Sequence, residues 1–502
     1  MAIKKYKATA DNTIANGFQE NLGTRATGSN MGLADVSEVY SIYGRESTTS
    51  SELSRIISTF DIDSISSDRT AGTIPASGSV KFYLRLYNAE TSNTVPKDFK
   101  LVVEAISRPW TEGDGLDLEN YKDLGVSNWI SASVGTAWTT AGGDYHLTPT
   151  FEQTFETGLE DLDLDISELV EQWIKGSGGG GKANYGLGVR LTSSLESATD
   201  SYYTKRFFAR GTQYFFKKPV IEARWNSSVR DDRGDFFYSS SLAPGPDNLN
   251  TLYLFNYVRG QLSNIPQIGT TGSIMVSLFS GSANDTEPFG NRLELSVGGG
   301  VSVAAETFAT GGFVSTGIYS CSLCITAAST PLKTVYDVWS TGSIIDGDHA
   351  KTRFFTGSIK PIELYASSFS QGNVRRVVNI KNLRSKYFSD EEARFNVYVR
   401  NKNWSPTIYT VASEEIENTI IPSASFRVYR VLDGLNVIPH GTGSDLQTLL
   451  SYDVSGNYFN LDMSLLEPGY EYGIKLAFYD SQRQSWIEQD QKFLFRVEDY
   501  EY

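Results

Sequence analysis

The chain has 502 residues, of which 59 are acidic and 44 basic, and its formal net charge is −15. This length exceeds what a single hydrophobic core supports, so several domains are expected. We do not expect nucleic acid as a direct partner, because phosphate binding needs a basic surface and no cluster of Lys and Arg interrupts the acidic background. Two cysteines and three histidines argue against a disulfide framework and against a zinc site built from several Cys or His.

The N-terminal stretch contains lysines but no apolar segment behind them, and nowhere do about eighteen apolar residues run unbroken. The sequence therefore predicts neither a secretory signal nor membrane insertion. An external role would then require release by another route, such as assembly in the cytoplasm followed by lysis.

Short runs of alternating apolar and polar residues recur along the chain. In VKFYLRL, from Val80 to Leu86, every second residue is apolar, which is typical of a half-buried strand. The same alternation occurs in Ile274 to Leu278, Tyr319 to Ile325, Phe395 to Val399, Phe426 to Val431 and Ile474 to Tyr479. Together with 45 glycines and 28 tyrosines, these runs predict an all-β, multi-domain protein built of sandwiches or jelly rolls.

One segment, DISELVEQWIKG, has helical periodicity. We expect Asp165 to cap this helix, Glu168 to occupy the reciprocal position, and Gly176 to end it. The apolar face would consist of Ile166, Leu169, Val170 and Trp173. The glycine-rich GSGGGGK that follows is interpreted as a surface loop within the first domain, because a strand resumes directly after it.

Breaks in the periodicity divide the chain into three predicted domains. Residues 1–228 form an N-terminal β-jelly-roll sandwich, residues 229–368 a middle β-sandwich of unknown family, and residues 369–502 a further β-sandwich. The first boundary precedes the polar stretch NSSVRDDRGD, and the second lies near SSFSQGN.

Several motifs of the first block occur in an order that resembles the DNRLRE domain, a β-jelly-roll module of bacterial surface proteins and of structural proteins of tailed bacteriophages. They are Asp11 and Asn12, Asn21 and Gly23, SRIISTFD from Ser54, KFYLRLYNA, the triplet Trp110, Thr111 and Glu112, the helix ending in Glu171, Gln172, Trp173 and Gly176, then Asn184, Tyr185 and Gly186, YYTKRFFAR, and KPVIEARW ending at Trp225. Residues 115–145 depart from the shorter family pattern as an insertion, and this longer form is similar to copies in phage virion proteins.

The C-terminal block has its own likeness. Leu466, Pro468 and Tyr472 resemble the bend that enters the sixth strand of fibronectin-type and immunoglobulin-like domains, where the tyrosine hydroxyl can satisfy the backbone. With the preceding YDVSGNYFNLDMS, the block resembles C-terminal domains of tailed-phage structural proteins.

The acidic stretch WTEGDGLDLENY raises the question of an ion site. Its carboxylates, Glu112, Asp114, Asp117 and Glu119, do not follow the ligand pattern of an EF-hand, because Leu116 occupies a ligand position. We expect a solvated connection pinned by Trp110 in the core, with Glu112 accepting local backbone hydrogen bonds. A calcium loop of another type stays open.

Other candidate sites have simpler structural interpretations. Asp161, Asp163 and Asp165 share one face of a strand, so a solvated strand face explains them. Cys321 and Cys324 form a lone C-x-x-C whose members point to opposite faces of a strand, so we expect buried or half-buried thiols.

The remaining motifs do not indicate catalysis. His146, His349 and His440 are scattered, and nothing singles out a pair of catalytic acids, so we predict no enzyme and assign no catalytic, cofactor or metal residue. The tripeptide Arg233, Gly234, Asp235 is interpreted as a charged turn between domains and not as a receptor ligand.

The resemblances imply a structural component of a tailed-phage virion, in the tail, the neck or collar, or another external attachment. Such a protein would be a symmetric homo-oligomer, would contact other virion proteins and would be assembled in the host cytoplasm. The alternative is a carbohydrate-binding module that attaches to a cell-surface or host glycan.

Overall fold

The computed structural model describes residues 2–91, 95–116, 126–298, 307–326, 332–341, 352–362, 375–402, 408, 418–481 and 483–500, with only the backbone of Tyr203. The chain divides into two compact units. The first comprises Met1–Asn226, Gly441–Thr448 and Ser464–Pro468, and the second comprises Ser227–His440, Leu449–Met463 and Gly469–Tyr502. The predicted boundary at 368/369 lies outside the described residues, so the division into three domains stays a prediction.

The prediction of an all-β, multi-domain protein is confirmed. The elements of the first unit are β1 (Ile3–Ala15), β2 (Val36–Tyr43), β3 (Ser51–Phe60), α1 (Ile62–Thr70), β4 (Lys81–Leu86), β5 (Phe99–Ile106), β6 (Ser131–Ser133), β7 (Thr136–Ala137), β8 (Tyr145–Phe155), β9 (Leu162–Asp165), α2 (Ser167–Lys175), β10 (Leu187–Leu191), α3 (Ser193–Glu196), β11 (Tyr202–Phe208) and β12 (Val220–Arg224).

The main strands of the first unit follow the order β8-β5-β10-β3-β1-β12-β4-β9, and β2 pairs with both β3 and β11. The long strand β1 belongs to two layers, because its first half pairs with β12 and its second half with β3, with a bulge between Ala8 and Ala10. The apolar faces of these layers enclose the main core, to which β4 contributes Phe82 and Leu84 and β5 contributes Val103. The alternation of VKFYLRL therefore places its apolar residues inward, as predicted.

The two ends of this strand order are joined by one side chain. Gln153 on β8 donates from Nε2 to the Asp161 carbonyl oxygen at 2.7 Å, and its Oε1 accepts from the Asp163 backbone N–H at 2.9 Å. A side-chain amide carries one donor group and one acceptor, so it can replace a ladder pair between β8 and the start of β9.

The predicted helix is present as α2, but it begins later in the sequence than predicted. The helix begins at Ser167 and its N-cap is Ile166, which makes no side-chain capping hydrogen bond, so the prediction of Asp165 as the cap is wrong. Asp165 precedes the cap, and its Oδ1 accepts from the Ser167 backbone N–H at 3.0 Å. The reciprocal role predicted for Glu168 is wrong, because its Oε1 accepts from Gln172 Nε2 instead. Gly176, at φ +64°, ends the helix, and the predicted apolar face is buried.

The second unit contains two groups of sheets. Its strands are β13 (Asn250–Phe255), β14 (Tyr257–Val258), β15 (Gln261–Leu262), β16 (Ile274–Gly281), β17 (Pro288–Arg292), β18 (Ala309–Ser315), β19 (Ile318–Leu323), β20 (Val335–Thr341), β21 (Thr352–Ile359), β22 (Arg376–Ile380), β23 (Lys386–Phe388), β24 (Glu392–Asn401), β25 (Ala424–Arg430), β26 (Asn436–Ile438), β27 (Ser451–Asp453), β28 (Gly456–Asp462), β29 (Glu471–Asp480), β30 (Ser485–Glu488) and β31 (Phe493–Glu498).

In the first group, β13-β19-β18-β16-β20-β21 form a curled sheet with β17 on β16, and Tyr319 and Trp339 lie in its core. In the second group, the sheets β22-β24-β28-β27 and β23-β31-β29-β25-β26 face each other, with β30 paired to β29. Phe426 of one sheet stacks on Phe459 of the other, with ring centroids 4.2 Å apart. Tyr472 is fully buried beside Phe495.

Candidate functional site

The residues that carry the likeness to the DNRLRE domain make internal contacts in the first unit. Glu112 Oε1 accepts from the Asp11 backbone N–H at 2.9 Å, and both Glu112 oxygens lie 2.7 Å from Arg210 Nη2. Glu112 does accept a backbone hydrogen bond, as expected, but the bond is not local, because the donor Asp11 lies 101 residues away in the sequence. Burial raises the pKa of the Asp11 carboxyl to about 6, although Arg210 opposes this shift.

Asn12 on β1 forms hydrogen bonds with two distant segments of the chain, at Met31 and at Ser127. Its Nδ2 donates to the carbonyl oxygen of Ser127 at 3.0 Å and to the Ser127 hydroxyl at 2.8 Å, and its Oδ1 accepts from the Met31 backbone N–H at 2.9 Å. All three residues are buried, so these hydrogen bonds are shielded from water. Asn12 thereby holds the inserted segment against the sheet.

The insertion builds a second core on the outer face of the sheet. Trp129 and Trp138 pack against Ile14, Ile57 and Ile106, which point away from the main core. Since neighbouring residues of a strand face opposite sides, Ile56 enters the main core while Ile57 enters this second one. The insertion is thus a packed layer over β1, β3 and β5.

The first residues of the acidic stretch, from Trp110 to Gly113, contribute to packing. As predicted, Trp110 packs into a core, here the second one, and its Nε1 donates to the Tyr185 carbonyl oxygen at 2.9 Å. Gly113 allows Asn30 to approach closely, because a Cβ at this position would lie 1.9 Å from Asn30 Oδ1. Asp117 and Glu119 lie outside the described residues, so the calcium question stays open.

The three aspartates around β9 are separated by their partners. Asp161 Oδ1 accepts from the Asn88 backbone N–H at 2.7 Å, Asp163 lies 3.3 Å from Arg224, and Asp165 lies 3.0 Å from Lys81 Nζ. The strand interpretation holds, since Leu162 is fully buried on the opposite face. The acidic face is exposed to solvent at Asp163 and Asp165, as expected, and each carboxylate also has a protein partner.

Cys321 and Cys324 are buried, as expected, and form no disulfide. Burial raises the pKa of the Cys321 thiol to about 12, so the thiol stays protonated at neutral pH. His146 and His440 belong to different units, and His349 lies outside the described residues. Within the described ranges, no three or more His, Cys, Asp and Glu side chains are arranged to hold a metal ion.

The tripeptide Arg233, Gly234, Asp235 lies in the second unit, where Gly234 is exposed but the arginine side chain is turned inward. The Arg233 guanidinium lies 2.8 Å from Asp231 and 2.5 Å from Asp337, and only 10% of its side chain is exposed. A Cβ on Gly234 would lie 2.7 Å from Ile420 Cδ1. The turn is charged, as predicted, but its arginine is engaged in buried ion pairs and is not available as a receptor ligand.

The sequence interpretation missed a cleft of about 670 Å³ in the first unit, beside the hairpin of β2 and β3. Ile42 and Glu52 are paired across the hairpin, so the alternation of β2 places Glu38 and Tyr40 on the same face as Glu52. The lining consists of Ala15, Gly17, Phe18, Glu20, Ala26, Ser29, Glu38, Tyr40, Ile42, Arg45 and Glu52. No strand is predicted from the sequence at Glu38 or Glu52, and the only signal there is that each acid lies in an alternating segment that forms a strand.

Glu52 is the most deeply buried acid of the cleft, with 1% of its side chain exposed. Its Oε2 accepts from the Phe18 backbone N–H at 2.6 Å and from Arg45 Nη1 at 3.0 Å. Its Oε1 has no hydrogen-bond partner among the described groups. Glu38 lies 2.7 Å from Arg206 Nε, and burial raises the pKa of Glu38 despite this cation.

No protein-family model matches the chain, and no curated protein matches it either. Over the described part of the chain, no helix has both the length and the apolar character needed to cross a membrane.

Proposed function

We propose that this protein is a structural, non-enzymatic component of a tailed-phage virion, in the tail, the neck or collar, or another external attachment. It acts by assembling into a homo-oligomer and by contacting other virion proteins. The likeness of residues 1–225 to the DNRLRE module supports this proposal, as does the likeness of the last block to C-terminal domains of phage structural proteins.

The observation that carries the proposal is the construction of the insertion, whose length resembles the longer form in virion proteins. Its described part is anchored by Trp129 and Trp138, so it is held as a layer and not as a loose loop. On its outer side, Ile130 is 48% exposed and Val134 is 75% exposed. A fixed layer that presents apolar side chains suits burial between subunits.

The proposal is tested on particles and on the isolated chain. Mass spectrometry of purified virions should detect the protein as a component, and light scattering after size exclusion should give a closed oligomer. The variant Val134→Lys should weaken this oligomer, because the charge would have to be buried. Leu432→Lys, at an apolar position that is 76% exposed in the second unit, is the matched control. A monomeric chain that is absent from particles would contradict the proposal.

Carbohydrate binding is the second candidate, favoured by the cleft, where the aromatic residues Phe18 and Tyr40 lie beside acids. Sugar sites commonly combine such a ring with polar groups that fix orientation. Retention of a strictly monomeric protein on immobilised glycan would favour this function over assembly.

A further inference from the structure

We propose that the cleft beside β2 and β3 binds the cationic side chain of a lysine or arginine that a neighbouring protein of the particle presents. The inference rests on the proposed assembly function and specifies the chemistry of one of its contacts. Glu52 is the residue that would receive the cation.

The first argument is the incomplete hydrogen bonding of Glu52. A carboxylate with 1% of its side chain exposed has lost nearly all contact with water, yet Oε1 meets no donor among the described groups. A buried acceptor without a donor is costly, and more so when it carries a charge. The site is therefore complete only when a further donor reaches it.

The second argument is the position of Arg45. Its Nη1 lies 3.0 Å from Glu52 Oε2, its Nη2 donates only a long hydrogen bond of 3.5 Å to the Phe18 carbonyl oxygen, and 41% of its side chain is exposed to solvent. An exposed side chain of this kind gains little from one ion pair, because solvent screens the charges and the side chain loses rotamer freedom. Arg45 can therefore swing away, and an incoming ammonium or guanidinium group can replace it and contact both Glu52 oxygens.

The third argument is the charge of the cleft. The cleft is lined by three acids and by one cation, Arg45. The acids are Glu20, Glu38 and Glu52. This excess of acid favours a cationic ligand over an anionic one, and a cation gains more than a neutral saccharide from buried carboxylates. Phe18, which lines the cleft, already contacts a cation, because the Arg25 guanidinium stacks on its ring at 4.1 Å from the ring centroid.

The fourth argument is the space that Gly17 leaves. A Cβ at this position would lie 3.2 Å from the Tyr40 hydroxyl oxygen and 3.3 Å from Glu52 Oε2. A methyl group there would narrow the approach to Glu52 without removing any of its hydrogen bonds. Gly17→Ala is therefore a variant that blocks the cleft while leaving the carboxylate in place.

Saturation-transfer difference NMR on the full chain tests the proposal. The probes are Nα-acetyl-lysine amide and Nα-acetyl-arginine amide, with Nα-acetyl-norleucine amide as the neutral analogue of lysine. We expect saturation of the two cations only, weakening as NaCl is raised. Glu52→Gln should reduce affinity by about tenfold or more, Gly17→Ala should also reduce it, and Arg45→Gln should increase it by removing the internal competitor.

Glu156→Gln is the matched control, since Glu156 is exposed in the same unit, and it should bind like the unchanged chain. Thermal melting of each variant is measured first. If Glu52→Gln does not fold, the other two variants still test the proposal, because Gly17→Ala should lower the affinity for the cations and Arg45→Gln should raise it.

Three results would overturn the inference. They are equal saturation of the norleucine and lysine amides, binding that Gly17→Ala leaves unchanged, and saturation of methyl glucoside, galactoside or mannoside without saturation of the cations. The last result would assign the cleft to a saccharide. If no cation binds but virions still contain the protein, only the cleft assignment fails, and the assembly function stands.

Discussion

The Glu222 carboxylate lies 2.7 Å from Arg224 Nη2, and both side chains are buried on β12 of the first unit. Lys5 and Arg85 lie 3.3 Å and 3.5 Å from the same carboxylate. One buried anion thus faces three cations, so the ion pairs form a network. Removal of the anion would leave buried cations without compensation.

This network predicts a pH dependence of stability. Burial alone would raise the pKa of Glu222, but Lys5, Arg85 and Arg224 lower it to about 2, against 4.5 in the unfolded chain. The stabilisation is therefore present above pH 4.5 and is lost as the pH falls from 4.5 towards 2. Glu222→Gln should lower the free energy of unfolding of the first unit at pH 7 by about 3 kcal/mol, with a smaller deficit in acid.

Urea unfolding at neutral and acidic pH checks this prediction. Glu156→Gln, at an exposed position, should change stability by no more than about 0.5 kcal/mol at either pH. If Glu222→Gln lowered the free energy of unfolding equally at both pH values, the Glu222 carboxyl would not titrate in this range.

Asn12→Ala should loosen the insertion. The change removes the hydrogen bonds to Ser127 and Met31 and leaves buried partners unsatisfied, so we expect a loss of about 2 kcal/mol. Tryptophan fluorescence should report it, because Trp129 and Trp138 lie in the core that the insertion forms. Asn460→Ala, at an exposed strand position, should leave the emission and the stability unchanged.

Arg233→Ala should destabilise the second unit by about 3 to 5 kcal/mol, because Asp337 would remain as a buried, uncompensated charge. The double variant Arg233→Met with Asp337→Asn should recover part of this loss, since the anion is removed as well. Chemical denaturation measures both, with Arg353→Ala at an exposed position as the control. No recovery in the double variant would show that packing of Arg233, and not its charge, is what matters.

Gln153→Ala should open the contact between β8 and the start of β9. Two hydrogen bonds are lost, so the Asp163 backbone N–H should exchange with solvent faster and stability should fall by about 1 to 2 kcal/mol. Hydrogen exchange followed by mass spectrometry resolves this segment. Thr154→Ala, exposed on the same strand, should exchange like the unchanged chain.

Calcium should leave the melting temperature unchanged, because Glu112 is engaged with Arg210 and Asn30 Oδ1 accepts from the Gly115 backbone N–H. Differential scanning fluorimetry with added CaCl₂ measures this. A rise that Asp114→Asn abolishes would restore the calcium interpretation of the acidic stretch.

The sequence alone determined the local structure where one pattern dominated. Alternation in VKFYLRL fixed a strand and its buried face, because the side-chain period of a strand is two. The spacing of Leu169, Val170 and Trp173, with Gly176 behind them, fixed the position of α2 to within two residues. These signals depend on neighbours along the chain, so they can be read without knowledge of the fold.

Only the tertiary structure decided which polar groups meet. Asp11 and Glu112 are 101 residues apart, Asn12 and Ser127 are 115 apart, and Arg233 and Asp337 are 104 apart. Nothing in the sequence marked Glu52 as a site residue, because neither the cleft that it borders nor the missing donor at Oε1 depends on neighbours along the chain. Burial and hydrogen-bond partners depend on how strands pair and layers stack, and those long-range contacts leave no local pattern in the sequence.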